Sequence, residues 1–243
     1  MNTLHVLWPS LALSPLFWLA ITLGGYCAGQ VVQRACGMSV LANPVLIAIG
    51  IVGGILLATS TSYATYFAGA QFINVLLGPA TVALAIPLAR NMHHVRRSLR
   101  GLGVALVAGS VTSIVAGIVL VWLLGGSREV ALSMAPKAAT TPIAVAVSQQ
   151  IGGSTTLTAT LAIIGGIFVA IAGRPLLRAL RVEDWRARGL AAGVAGSGIA
   201  AAQVAPLDET AAAFAALGIG LNGLITALAA PVLAPLLLLL LWG

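Results

Sequence analysis

The sequence predicts an all-α, polytopic membrane protein, transporter-like because several of its helices are discontinuous or re-entrant. Three observations carry that prediction. Hydrophobic residues make up 60% of the 243 positions and charged ones 7%, with a mean hydropathy of +1.07; a water-soluble domain of this length needs far more charge to cover its surface. Apolar runs recur at about the 20 residues a helix needs to cross a hydrocarbon core of ~30 Å. Some of those runs are broken internally by proline and glycine, which a lipid-facing backbone tolerates poorly. One membrane domain is expected to fill residues 1–243.

Taken in order, the first apolar run is 11–32. It lacks the basic leader and small-residue cleavage site of a secretory signal, so it reads as a retained first helix. Cys27 and Cys36 in or near it are too few for a disulfide framework or metal site and read as packing residues. The other clear runs are 44–60, 101–124, 154–173 and 209–241. Three more are apolar yet interrupted: 63–92 at Gly78-Pro79, 129–151 around Pro136 and Pro142, and 189–206, where Gly193, Gly196 and Gly198 crowd together. Gly25 and Gly29, Gly50 and Gly54, and Gly189 and Gly193 form G-x-x-x-G pairs that suit close helix approach.

Orientation follows from arginine. Arg90, Arg96, Arg97 and Arg100 form one cluster, and Arg174, Arg178, Arg181, Arg186 and Arg188 another. Both clusters are expected on the cytoplasmic side. The net charge of +7 is explained by this topology and not by a nucleic-acid-binding face, so no nucleic-acid partner is expected. With both clusters on one side, a single crossing remains between 129 and 173, and 129–151 reads as a re-entrant hairpin. The alternative is a kinked span with one loop against the arginine rule. A weak internal similarity between 79–87 and 140–147 adds a hint of inverted repeats.

The chemistry available at depth is sparse. The five acids, Glu129, Glu183, Asp184, Asp208 and Glu209, fall at segment ends, which disfavours cation transport through a buried carboxylate. Lys137 is the sole lysine and sits inside an apolar segment. A central lysine costs about 2.5–3.5 kcal/mol on insertion scales, so an anionic partner is the natural offset. The Thr140 and Thr141 hydroxyls, with the half-helix start beside Pro142, supply further donors. Pro79 and Thr81 are read as the opposed half-helix end. Together they sketch a cradle for a small carboxylate; the competing reading is a lysine that snorkels to lipid headgroups. Tyr63 and Tyr66 either close a pocket or belong to an interfacial aromatic belt. Asn74, Asn222, Gln71 and Ser197 read as hydrogen-bonding groups between helices, with Ser197 and Asn222 as further candidates for the site. His5, His93 and His94 lack metal-ligand spacing. No hydrolase or phosphate-loop motif occurs, so neither an enzyme nor a cofactor is read.

These residues resemble a known family. The runs LLGPATVALAIPL (76–88), PKAATTPIAVAVSQQIGG (136–153) and RGLAAGVAGSG (188–198), with Asn43-Pro44, are similar to the LrgB/CidB membrane proteins over nearly the whole chain. Taken with the anion cradle, the resemblance implies a carrier of small monocarboxylates of the glycolate, glycerate, pyruvate or lactate class, as in a plastid relative. The alternative it implies is an antiholin-like or holin-like modulator of murein hydrolase export and lysis, paired with an LrgA/CidA-type membrane protein. It also implies a bacterial plasma (inner) membrane location and, by analogy with broken-helix carriers, a homodimer. Lys137, Thr140, Thr141, Pro142, Pro79 and Thr81 match the family pattern. The sequence departs from it at 196–201, where a family histidine and threonine are missing, and at Gln71 and Ala211, where acids are frequent. Proton coupling is therefore in doubt.

Overall fold

The computed structural model describes residues 14–37, 42–75, 89–90 and 92–243. Regular structure among them is entirely helical: α1 (Pro15–Ala35), α2 (Pro44–Ala58), α3 (Tyr63–Ala70), α4 (Phe72–Val75), α5 (Met92–Leu123), α6 (Arg128–Met134), α7 (Thr141–Ile151), α8 (Thr155–Ala179), α9 (Trp185–Val204) and α10 (Glu209–Trp242). Four are long and apolar enough to cross a bilayer: α1, the Arg100–Leu123 part of α5, α8 and α10. The chain divides into two units, 1–83 and 84–243, each described by itself. Pro79 and Thr81, expected in the opposed half-helix, lie outside the described residues.

In the first unit, Pro15 and Pro44 begin their helices, where a fixed φ and a missing N–H cost nothing. Asn43 caps α2, its Oδ1 accepting from the Val45 N–H at 2.9 Å. Gly25 and Gly29 let α1 lie on α2: a Cβ at Gly29 would stand 2.7 Å from the Pro44 carbonyl, and one at Gly25 would touch Ala48. Trp18 is fully buried with Tyr66 edge-on at 5.6 Å, and the Tyr66 and Thr22 hydroxyls are 3.1 Å apart. Tyr66 is thus a packing residue between α1 and α3. Cys27 and Cys36 are unpaired and both exposed, against the expectation that they pack.

The second unit is built from three long helices and two reversals. The arginine-rich stretch before 101 is not a loop, since α5 already begins at Met92. Likewise α8 continues past 173 to Ala179, with Pro175 inside it. Helices α6 and α7 are short, 7 and 11 residues, or about 10 and 16 Å at 1.5 Å per residue. Neither crosses ~30 Å alone. Between them the chain turns through 135–140 and comes back. The return is seen at its base, where a Cβ on Gly153 would stand 2.8 Å from the Ser133 nitrogen and the Ser154 N–H donates to Ser133 Oγ at 2.8 Å. Thr158 Oγ1 of α8 lies 2.7 Å from Ser148 Oγ and 2.9 Å from the Ser133 carbonyl. The re-entrant hairpin expected over 129–151 is the observed conformation.

A second reversal lies within α9. Ser197 has φ 50° and ψ −143°, which breaks the helix. Before the break, α9 runs parallel to α10: Gly189 faces Ala211, Gly193 faces Ala215, and Gly218 faces Leu190 and Val194. Because α10 starts beside the start of α9, the residues after Ser197 must carry the chain back. Ala192 and Ala200 accordingly share one buried cluster with Ala170, although eight positions along a straight helix span about 12 Å. Residues 185–208 therefore form a second hairpin.

The two hairpins enter from opposite ends. Leu102 and Leu106 of α5 cluster with Leu190, Val194 and Phe214 at one end. Ile114 and Ile118 cluster with Ala131, Leu132, Ala135, Val147, Ala230 and Ala234 at the other. Arg90 pairs with Glu209 at 3.7 Å at the first end, and Ala170 beside Ala192 directs the C-terminus of α8, with Arg174 and Arg178, to that end too. Both arginine clusters thus share an end, as the arginine rule anticipates. The acids serve helix ends: Asp184 accepts from the Arg186 N–H and Asp208 from the Ala211 N–H. The Arg186 guanidinium also hydrogen-bonds Asp184 and holds its carboxyl below the ordinary carboxylate range.

Candidate functional site

The two hairpin tips meet between those apolar clusters. Ala135 ends α6, and the chain then takes tight turns, with Lys137 N donating to the Met134 carbonyl at 3.3 Å and Ala139 N to the Pro136 carbonyl at 3.0 Å. Pro136 has no N–H to continue the helical ladder and is fully buried, which weakens a helix at this point. Lys137 projects from this tip, half-buried, and its ammonium donates to the Ser113 carbonyl of α5 at 3.3 Å. Ser113 lies about ten residues before the end of the Arg100–Leu123 span, roughly 15 Å in at 1.5 Å per residue. That is mid-span. The amine meets the middle of that apolar helix and not either of its ends.

Room for the amine comes from Gly117, where a Cβ would stand 3.1 Å from Lys137 Nζ and 3.3 Å from Met134 Cγ. Thr140 is the N-cap of α7 without a side-chain cap bond, and Pro142 occupies its first turn. The Thr141 and Ile143 N–H groups are therefore among the donors a helix start leaves without intrahelical acceptors, beside a partial positive charge. Pro142 itself is exposed.

Asn222 of α10, 1% exposed, joins the tips. Its Nδ2 donates to the Ala138 carbonyl at 3.0 Å and to the Val194 carbonyl at 3.1 Å, while its Oδ1 accepts from Ser110 Oγ at 2.6 Å. Val194 O is free to accept because the break at Ser197 ends the helical ladder three residues later. The reversal at Ser197 thus lies against the first tip; Pro79 and Thr81, read from the sequence as an opposed half-helix end, lie outside the described residues. Tyr63 belongs to the first unit, where it is 66% exposed and stacks on Phe67.

Sequence reasoning missed Ser110, Ser113, Gly117 and Val194. Ser110 and Ser113 had a signal, as hydroxyls within an apolar run. Ser113 and Val194 act through backbone carbonyls, however, which no residue type announces. Among the described residues no cluster of His, Cys, Asp or Glu could hold a metal.

This geometry defines a class: a polytopic, all-α membrane protein in which opposed re-entrant hairpins meet at a buried polar node. A family model described as the LrgB-like family matches residues 22–236. The chain belongs to the LrgB family. It is 30% identical over 224 residues to an antiholin-like protein LrgB of Bacillus mycoides (strain KBAB4), covering 92% of this chain and 97% of that relative. It is 29% identical, with the same coverage, to proteins of that name in Bacillus cereus (strain B4264) and Bacillus anthracis (strain CDC 684 / NRRL 3495). No solved structure matches the chain.

Proposed function

We propose that the chain is an antiholin-like component of lysis control in the bacterial plasma (inner) membrane, working with an LrgA/CidA-type membrane protein. The observation that carries this reading is the shared name of relatives matched over 92% of the chain. It favours the lysis role, the alternative from the sequence, over the carrier role that the sequence put first. The expected result is that loss of the gene changes autolysis and that the protein co-purifies with an LrgA-type partner. Unchanged autolysis, with no such partner captured after crosslinking in membranes, counts against it.

A second reading is favoured by one observation of geometry, the Lys137 ammonium at mid-span beside the open start of α7. It supports a carrier of small monocarboxylates, the anion held by Lys137, Thr140, Thr141 and the first-turn N–H groups, with hairpin movement exposing the site to either side in turn. Such carriers are commonly homodimers, and a dimer is the form assigned here. Purified protein in liposomes should move labelled glycolate or pyruvate, and Lys137→Ala should abolish the flux. Absence of flux in wild type, or flux indifferent to Lys137→Ala, sinks the carrier. The readings are compatible, because one concerns an anion held at the hairpin tip and the other a partner membrane protein.

A further inference from the structure

A primary amide has two donor hydrogens and one acceptor oxygen. In Asn222 both donors are used, on Ala138 O and Val194 O, and the oxygen is held by Ser110. No donor remains for a ligand, so the substrate contact expected of this residue from the sequence is not what its surroundings suit. Its bonds instead tie two backbone carbonyls that belong to opposed hairpins. Without an N–H between them these oxygens face one another, two like ends of carbonyl dipoles in a low-dielectric interior, and separate or draw in water. Ala138 adjoins Lys137, so separation of the tips also moves the amine from Ser113.

We propose that Asn222 is a positioning residue that latches the two hairpin tips together, and that release of this latch is what frees the Lys137 amine. The proposal rests on the carboxylate-site reading only for the use made of the freed amine. Ser110 sets the amide's orientation and is the weaker part of the same device.

The solitary lysine makes the test direct, since reductive methylation with formaldehyde has one ε-amine to modify and peptide mass separates it from the α-amine. In the full chain, purified and monodisperse, Asn222→Ala and Asn222→Leu should each raise the modification rate at Lys137 by about tenfold, the scale expected for loss of one or two buried hydrogen bonds. Leucine fills the space with neither donor nor charge, so its agreement with alanine assigns the effect to the lost hydrogen bonds and not to a cavity. Ser110→Ala should give a smaller rise, about threefold. Thr158→Val, which weakens the base of the first hairpin and not its tip, should lower thermal stability while leaving the rate at the wild-type value. The proposal is overturned by wild-type rates in both Asn222 variants, or by an equal rise in Thr158→Val. If the Asn222 variants do not fold, Ser110→Ala decides, and an unchanged rate there overturns it. Protection of Lys137 by glycolate, measured separately on wild type, tests the carboxylate site, so either idea can fail without the other.

Discussion

Ser197 holds a positive φ of 50° between Gly196 and Gly198, a conformation that costs a side chain of order 1–3 kcal/mol when the surroundings impose it. Glycine adopts it freely, so Ser197→Gly should raise the melting temperature in detergent, by an amount equivalent to about 1 kcal/mol. A lower melting temperature would mean that the hydroxyl contributes more than the strain takes away. Gly117 is the opposite case, a glycine required for space and not for backbone freedom. Its α-carbon faces the amine, and Gly117→Ala places a methyl where Lys137 Nζ and Met134 now pass. We expect this variant to fold, because alanine favours helix by up to about 1 kcal/mol, and to lose glycolate-dependent thermal stabilisation. Stabilisation equal to wild type would remove Gly117 from the site.

At the scale of elements, the three G-x-x-x-G pairs separate into used and unused. Gly189 and Gly193 lie directly on the α10 backbone at Ala211 and Ala215, and Gly25 and Gly29 lie on α2, whereas added methyls at Gly50, Gly53 and Gly54 meet nothing within 4 Å among the described residues. Gly193→Val should therefore disrupt α9 against α10 at a cost of about 2 kcal/mol or more, and Gly53→Ala should be neutral or stabilising by up to about 1 kcal/mol. Thermal denaturation of the two variants checks both signs. Spacing alone did not distinguish these pairs, because it says that two backbones can approach and not that they do. The first hairpin was legible, since Pro136 and Pro142 interrupt the apolar run and the arginines left room for one crossing. The second was legible only as a crowd of glycines. Its reversal depends on α9 running parallel to α10, a tertiary fact with no local signature. For the same reason Ser197 carried no signal of a tip, since no proline marks its break, whereas the proline-marked segment near Pro79 lies outside the described residues.

At the scale of the molecule, the second unit alternates span and hairpin: α5, the α6–α7 hairpin, α8, the α9 hairpin and α10. The segment from α6 to α8 and the segment from α9 to α10 are alike in plan and opposite in direction, each a hairpin followed by a span. This is the inverted arrangement that broken-helix transporters use; residues 79–87, which the sequence pairs with 140–147, lie outside the described residues. Composition announced the membrane and the helices; the polar node had to be assembled from backbone carbonyls and one amide that hydropathy counts only as interruptions.

A lysine amine beside the middle of an apolar, membrane-length helix is also an electrical element whenever it carries its proton. An elementary charge carried across the whole layer exchanges about 2.3 kcal/mol per 100 mV, so the Lys137 ammonium at half depth exchanges about 1 kcal/mol as it travels to one face. Imposing a potassium diffusion potential on proteoliposomes should shift the modification rate of Lys137 severalfold and reverse the shift when the polarity is reversed. In Lys137→Gln any potential-dependent change in glycolate flux should flatten. The bilayer's own voltage would then bias which side the hairpins open to.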